Sequence, residues 1–391
     1  MNKEILHINI QDFINSNLKS DITKLILKGS PFNNISIQEI VEQIEAKNKC
    51  KKKLPTWFTT KNIFYPNKLN IEQTSSEITA KYKASLVSGK SLVDITGGFG
   101  IDALYFGKKI PNITHCEINS DISEIVSHNL EVLNSENIST YIGDGLEYLE
   151  KSNTKFDWIY ADPSRRNDIK GKVFLLEDCT PNIPENLDFL FQYTTNVLLK
   201  ISPILDITSA IKELSFVKEI HIVAVDNEVK ELLFILEKNY SQSINYKTIN
   251  FTKAKNQIYD FKLISDTLAS YAEPKTYLYE PNVAILKAGA FQEVSTSFNI
   301  DKLHQHSHLY TSDILIDFPG RRFQIIQIAS YNKKELQKLI PSKKANITIR
   351  NFPETVAQIR KKTKLKEGGN YYLFFTTDLN NKHIVIICEK V

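Results

Sequence analysis

The stretch Ser91-Leu-Val-Asp-Ile-Thr-Gly-Gly-Phe-Gly100 decides how this chain folds. A short apolar run closes on an acid, glycines follow at 97, 98 and 100, and Ile101-Asp-Ala-Leu-Tyr-Phe106 continues as a helix. Glycine where a strand turns into a helix permits positive φ and lets backbone approach a ligand closely. The segment therefore reads as a strand whose carboxyl end opens on a crevice, with Asp94, Thr96, Gly97, Gly98 and Gly100 at its edge.

Working outward, the same punctuation recurs. Glu117 closes Ile-Thr-His-Cys, Asp144 closes Tyr-Ile-Gly, and Asp162 closes Phe-Asp-Trp-Ile-Tyr-Ala. Strands are expected near 91–96, 113–117, 138–144, 156–162, 197–202 and 219–225, with helical stretches between them and a further strand near 258–264. Such alternation predicts an α/β fold, a Rossmann-like doubly wound parallel sheet with helices on both faces.

Parallel strands that end together gather their terminal acids in one crevice. Four carboxylates there suit a ligand carrying an amine, a ribose and an exocyclic amino group, and S-adenosylmethionine fits. Asp94 would hold the methionine ammonium, Glu117 both ribose hydroxyls and Asp144 the adenine amino group. Gly98-Phe-Gly-Ile-Asp-Ala103 also fits the dinucleotide pattern G-x-G-x-x-A, with Glu117 as its ribose acid, so a nicotinamide-dependent oxidoreductase is the competing enzyme reading. That reading leaves the acids at the next two strand ends unexplained. Each acid taken singly also suits a helix N-cap.

The fourth acid opens Asp162-Pro-Ser-Arg-Arg166. Pro163 restricts Asp162 to extended backbone, which sets a carboxylate beside a carbonyl so that the two can hold an exocyclic amine by its hydrogens. Catalysis would then rest on positioning by Asp162 and Pro163. Ser164, Arg165, Arg166 and Lys200, which ends the next strand, are the candidate substrate contacts, the arginines as phosphate clamps. Trp158 and Tyr160 are expected in the core. Cys179 has no neighbour in sequence to activate its thiol. His304, His306 and His308 alternate, but with no cysteine or fixed carboxylate nearby a polar face is expected there and no metal site.

A chain of 391 residues exceeds what one core supports, so several units are expected. Residues 1–68 read as a helical domain, with Ser36-Ile-Gln-Glu39 as a capping box and Pro55 ending that helix. Ser75 or Ser76 caps a further helix expected over the ligand crevice. Residues 69–265 form the cofactor-binding domain, and 265–274 a linker. The last segment reads as strands near 323–329, 345–350, 371–377 and 383–388 with helices near 332–340 and 353–364. Residues 301–391 carry 16 Lys and Arg against 8 Asp and Glu, whereas 81–300 carry 22 against 29. A concentrated positive field suits a phosphate backbone. No signal-peptide pattern, membrane-length apolar run or Cys-x-x-Cys spacing is present, so a cytoplasmic protein with reduced thiols and no membrane partner is expected.

Taken together, Lys53-Leu-Pro-Thr-Trp57, Leu69-Asn-Ile-Glu-Gln-Thr-Ser-Ser-Glu77, Asp94 to Asp102, Asp162 to Arg166, Leu199-Lys-Ile-Ser-Pro203, Asn227-Glu-Val-Lys-Glu-Leu232, Tyr279-Glu-Pro-Asn282 with Lys287-Ala-Gly289, and Asn351-Phe-Pro353 with Gly368-Gly369 resemble a known family. It is that of bacterial class I S-adenosylmethionine-dependent methyltransferases with a C-terminal THUMP-like domain. The resemblance implies a ferredoxin-like domain at 275–318, a THUMP-like RNA-binding domain at 320–391, a cofactor loop at Asp94 to Asp102, and a motif at the fourth strand at Asp162 to Arg166. In better-known amino methyltransferases that motif is Asp or Asn, Pro, Pro and an aromatic that stacks on the base. Here Ser164 and Arg165 take the last two places.

The expectation is methyl transfer to a base of structured RNA, transfer or ribosomal, at an exocyclic amine. A non-catalytic RNA-binding protein that retains the cofactor pocket is the alternative outside enzymes.

Overall fold

The computed structural model describes residues 1–165, 175–263 and 267–391. It divides into two compact units, Met1–Val217 with Leu233–Ser241, and Lys218–Leu232 with Gln242–Val391.

The first unit opens with helices α1 (Ile8–Ser16), α2 (Ile22–Lys28) and α3 (Ile37–Lys53). Ser36 and Glu39 form the capping box at the start of α3, and Ile37, Ile40, Val41 and Ile44 bury one face of it. Pro55 sits in the first turn of α4 (Pro55–Thr59), where its missing N–H costs nothing, so α3 stops at Lys53. Next come α5 (Lys68–Gln73) and α6 (Glu77–Leu86). Ser76 is the residue that caps α6, accepting from the Thr79 N–H.

Strand and helix then alternate through β1 (Ser91–Asp94), α7 (Ile101–Gly107), β2 (Asn112–Glu117), α8 (Ser120–Val132), β3 (Ile138–Ile142), α9 (Gly145–Ser152) and β4 (Trp158–Ala161). A short antiparallel pair, β5 (Ser164–Arg165) and β6 (Cys179–Thr180), precedes α10 (Ile183–Leu190), β7 (Asn196–Ile201) and α11 (Ile207–Glu213). The strand order is β3-β2-β1-β4-β7, every pair parallel. Leu92, Val93, Ile159 and Leu198 are fully buried, as strands covered on both faces require, and their continuous apolar runs made them readable. The chain winds outward one way through β1, β2 and β3 and the other way through β4 and β7. That reversal lies between β1 and β4, and a crevice opens there at the carboxyl ends.

β8 (Val217–Val225) and β9 (Glu228–Glu237) make a hairpin. Its two linking residues, Asp226 and Asn227, have φ of 50° and 61°, as a two-residue type I′ turn needs. Leu233–Glu237 of β9 lies next to β7 in the first unit. In the second unit, β8 pairs in parallel with β10 (Asn245–Phe251), which pairs antiparallel with β11 (Gln257–Lys262). Sequence periodicity does not announce β9 or β10. The run Leu232-Leu-Phe-Ile-Leu236 is apolar without alternation, and helix and strand cannot be told apart there without tertiary partners.

A second sheet follows in the same unit. It is built from β12 (Tyr277–Pro281), β13 (Asp301–Lys302), β14 (Tyr310–Ser312), β15 (Gly320–Ser330), β16 (Asn346–Ile349), β17 (Tyr371–Thr377) and β18 (His383–Lys390). Helices α12 (Val283–Ala288), α13 (Phe291–Phe298), α14 (Lys333–Leu339) and α15 (Val356–Thr363) connect them. The order is β13-β14-β12-β15-β18-β17-β16. β15 is the seam: residues 320–324 pair with β12 and residues 323–330 with β18. Among the described residues no helix is long and apolar enough to cross a membrane.

Candidate active site

A cleft of about 330 Å³ opens at the carboxyl edge between β1 and β4. Thr96, Gly97, Gly98, Glu117, Asp162 and Ser164 line it. The glycines are there for two different reasons. A Cβ on Gly97 would come within 2.5 Å of the Cys116 carbonyl oxygen, so this residue lets the loop lie against the end of β2. Gly98 has φ of 64°, and a Cβ there would meet nothing within 4 Å, so the backbone borders open space. Gly100, with φ of 71°, starts α7.

Glu117 is fixed by the loop it faces. One carboxylate oxygen accepts the Gly98 N–H at 2.7 Å and the other the Asn119 N–H at 2.7 Å. A carboxylate has about four acceptor sites, so lone pairs remain for hydroxyl donors of a ligand. Asp94 lies beneath the cleft, 1% exposed. Its Oδ1 accepts from the Thr96 N–H and hydroxyl, and the Thr96 hydroxyl oxygen accepts the Asp162 N–H at 2.7 Å. The ends of β1 and β4 are thereby joined through one side chain. Burial holds the Asp94 carboxyl well above the usual carboxylate range, against the opposing Thr96 bonds, and nearby Asp102 and Asp162 push it further.

The Lys200 ammonium is ion-paired with Asp162 Oδ2, which brings the end of β7 to the same place. Pro163 joins Asp162 to Ser164 and is half-buried. Asp144 does not line the cleft. Its Oδ1 accepts from Leu146 and Glu147 N–H groups and caps α9. Arg165 is placed by its backbone in β5, and Arg166 lies outside the described residues.

Asn70, Ser75, Asp102 and Asn119 also line the cleft; the sequence offered Asp102 only as the end of the cofactor loop and Ser75 only as a helix cap, and gave no sign of Asn70 or Asn119. Behind the wall, Lys83 donates to Ser75 Oγ at 2.9 Å, and Ser75 and Tyr160 hydroxyls donate to Asp102 Oδ2 at 2.9 and 2.7 Å. Lys83 also pairs with Asp102 Oδ1 at 3.2 Å. The segment before α6 is thus pinned over the crevice. Lys83 and Asp102 lie on different helices, far apart in sequence, and carry no local signal of such pairing. Cys179 is buried in β6, and Trp158 and Tyr160 are buried in β4.

His304, His306 and His308 do not sit on a strand. His304 accepts from Asn351 Nδ2 and the His306 N–H, its Nε2 faces Asn381, and His308 stacks on Phe291 at 3.6 Å. Among the described residues no three His, Cys, Asp or Glu side chains are grouped as metal ligands.

Comparison with known proteins agrees with this architecture. Residues 277–319 match a ferredoxin-like domain and residues 320–390 a THUMP domain-like family. No curated protein matches the chain. A solved structure described as a "putative methyltransferase from Porphyromonas gingivalis W83" is 30% identical, superposes with a TM-score of 0.88, and is covered over 99% of its length by 100% of this chain. TrmK of M. capricolum, in complex with S-adenosyl-homocysteine, is 18% identical over 41% of this chain and 68% of its own, with a TM-score of 0.32. An O-methyltransferase from Bacillus cereus, in complex with SAH, is 12% identical over 49% of this chain and 90% of its own, with a TM-score of 0.35. Those two partial overlaps carry no weight beside the end-to-end match. The chain belongs to the family of the Porphyromonas protein, a class I methyltransferase fold that carries ferredoxin-like and THUMP-like domains at its C-terminal end.

Proposed function

We propose that this protein methylates an exocyclic amine of a base in structured RNA, transfer or ribosomal, using S-adenosylmethionine, in the cytoplasm. The observation that carries the reading is the convergence of the Gly98 backbone, the Glu117 carboxylate and the Asp162 carboxylate on one cleft at the sheet's switch point. The residues fit the cofactor. Open space at Gly98 admits a ligand against backbone, and Glu117 offers acceptors to two ribose hydroxyls. When bound, the cofactor supplies an electrophilic methyl group on sulfur.

The chain's own residues do the positioning. Thr96 ties the Asp162 backbone to Asp94, so the fourth strand's acid is held in register with the cofactor loop. Lys200 holds one oxygen of Asp162, which leaves the other to accept an N–H of the target amine. Aiming a nitrogen lone pair in this way contributes through orientation and needs no covalent intermediate. Asp144 caps α9 through one oxygen and, lying outside the residues that line the cleft, has no part in this assignment. Arg165 and Arg166 are assigned to RNA phosphate.

The absence of an aromatic after Asp162-Pro163 favours the second reading, an RNA-binding protein that keeps the pocket without turnover. Nucleoside mass spectrometry of RNA from a deletion strain separates the two. One methylated nucleoside should be missing, restored by the wild-type chain and not by Asp162→Ala. An unchanged nucleoside profile would exclude the enzymatic reading.

A further inference from the structure

The second unit has a hollow of its own, about 440 Å³, which lies within the range of roughly 300–1,000 Å³ typical of small-ligand sites. One wall is the loop from Thr252 to Gln257 with Ile258 behind it, and the other is Asp317 to Gly320 with Arg322. Phe298 also lines it, half-buried, packed edge-on against Phe318 at 5.3 Å and tilted on Tyr259 at 5.3 Å. Ile258, also in the lining, is 59% exposed. A second hollow, about 280 Å³, shares Thr252, Gln257 and Gly320 with the first and extends the trough to Arg321 and Glu280. Glu280 is buried and paired with both Arg321 and Arg350.

Lys255 and Asp317 form an ion pair across the mouth at 2.9 Å, both side chains more than three-quarters exposed. The pair is a weak latch, since an exposed pair contributes about 0–1 kcal/mol. Opening it would free a lysine of the lining.

The chemistry of this trough is that of a nucleotide site. A half-buried aromatic ring and an aliphatic side chain offer faces to a flat base, exposed Asn256 offers an amide edge, and Lys255 and Arg322 supply cations to a phosphate, while the Gln257 amide is taken up by Asn250, Asn282 and Gly320 and Arg321 by Glu280. Base stacking tolerates any sequence, and the cations supply the salt-dependent part of the affinity. The surrounding chain is rich in positive charge, 16 Lys and Arg against 8 Asp and Glu over residues 301–391.

We propose that the trough between loop 252–258 and residues 317–322 binds a nucleotide of single-stranded RNA, with Phe298 beneath the base and Lys255 and Arg322 at its phosphates. The site extends the functional reading above by naming where an unpaired part of the RNA is held, and in that respect it rests on RNA being the substrate.

The test is fluorescence anisotropy of a labelled random-sequence RNA decamer against the full-length protein saturated with S-adenosylhomocysteine, which closes the cofactor cleft to competing nucleotides. Lys255→Glu should weaken binding about fivefold or more, as expected for reversing one phosphate contact. Asp317→Asn, which removes a repelling charge and frees Lys255, should tighten binding about threefold. Both positions are exposed, so neither change threatens the fold, and melting temperatures check this. Phe298→Ala should weaken binding as well. Unchanged binding in both Lys255→Glu and Asp317→Asn would overturn the proposal, as would free mononucleotides competing as well as unlabelled decamer, which would mark a free-nucleotide site. A protein that binds the decamer through these residues yet methylates no RNA defeats the enzymatic reading and leaves this one standing.

Discussion

At Gly98 the backbone is left-handed and its missing side chain faces the cleft. Alanine there is strained by about 1–2 kcal/mol and places a methyl group in the ligand's path. Gly98→Ala should lower the melting temperature modestly and weaken S-adenosylhomocysteine binding by about tenfold or more, roughly 1.4 kcal/mol in a calorimetric titration. His115 poses a different question. It is fully buried under the glycine loop, and burial pushes its pKa down to about 4. The unfolded chain protonates this histidine near 6.5, so below that pH the unfolded state takes up a proton that the folded state refuses. Its contribution is complete above about pH 6.5 and is lost as pH falls toward 4, about 3 kcal/mol in all. Urea midpoints should fall across that window, and His115→Leu should flatten the dependence. That Gly97, Gly98, Glu117 and Asp162 line one cleft was legible, because each lies at or just past the end of an apolar run and parallel strand ends meet in a crevice. Asp144 shows the limit. An acid before a helix looks the same whether it caps the helix or serves a ligand, and here one oxygen caps.

Among elements, α6 depends on a buried charge cluster. Lys83 is fully buried against Asp102 and Ser75, with Tyr160 completing the acceptor side. Removing one partner strands the other charge in a low dielectric. Lys83→Met should therefore destabilise by about 3–5 kcal/mol in urea, and Lys83→Met with Asp102→Asn should recover part of the loss. Because Ser75 lines the cleft and belongs to this cluster, cofactor affinity should fall with the single change. Parallel strands β1 to β4 and β7 were readable from their apolar runs, and α3 from its capping box. β9 was not, since its apolar core fits either period and only pairing in the folded sheet decides it. The strand pattern at the C-terminal end was readable, but the way β15 pairs with both β12 and β18 was not, because register between distant segments leaves no local trace.

For the molecule as a whole, the proposed RNA role leans on the charge distribution. Lys361, Lys362, Lys364 and Lys366 lie exposed on and after α15, within the basic C-terminal segment. RNA affinity should fall with salt, and Lys361→Ala with Lys364→Ala should lessen the slope of log affinity against log salt by about one to two while leaving cofactor affinity intact. Point changes suit this question better than removal of residues 320–391, since β15 is paired along β12 and its loss would strip that strand of a partner. The proposed activity depends on the cleft beside β1 binding S-adenosylmethionine. Calorimetric titration of the wild-type protein and Glu117→Ala with S-adenosylhomocysteine and, separately, with a nicotinamide dinucleotide tests it most directly. One S-adenosylhomocysteine should bind per chain, binding should be lost or weakened at least about tenfold in the variant, and the dinucleotide should not bind. Dinucleotide binding that depends on Glu117, or S-adenosylhomocysteine binding indifferent to it, would contradict the account.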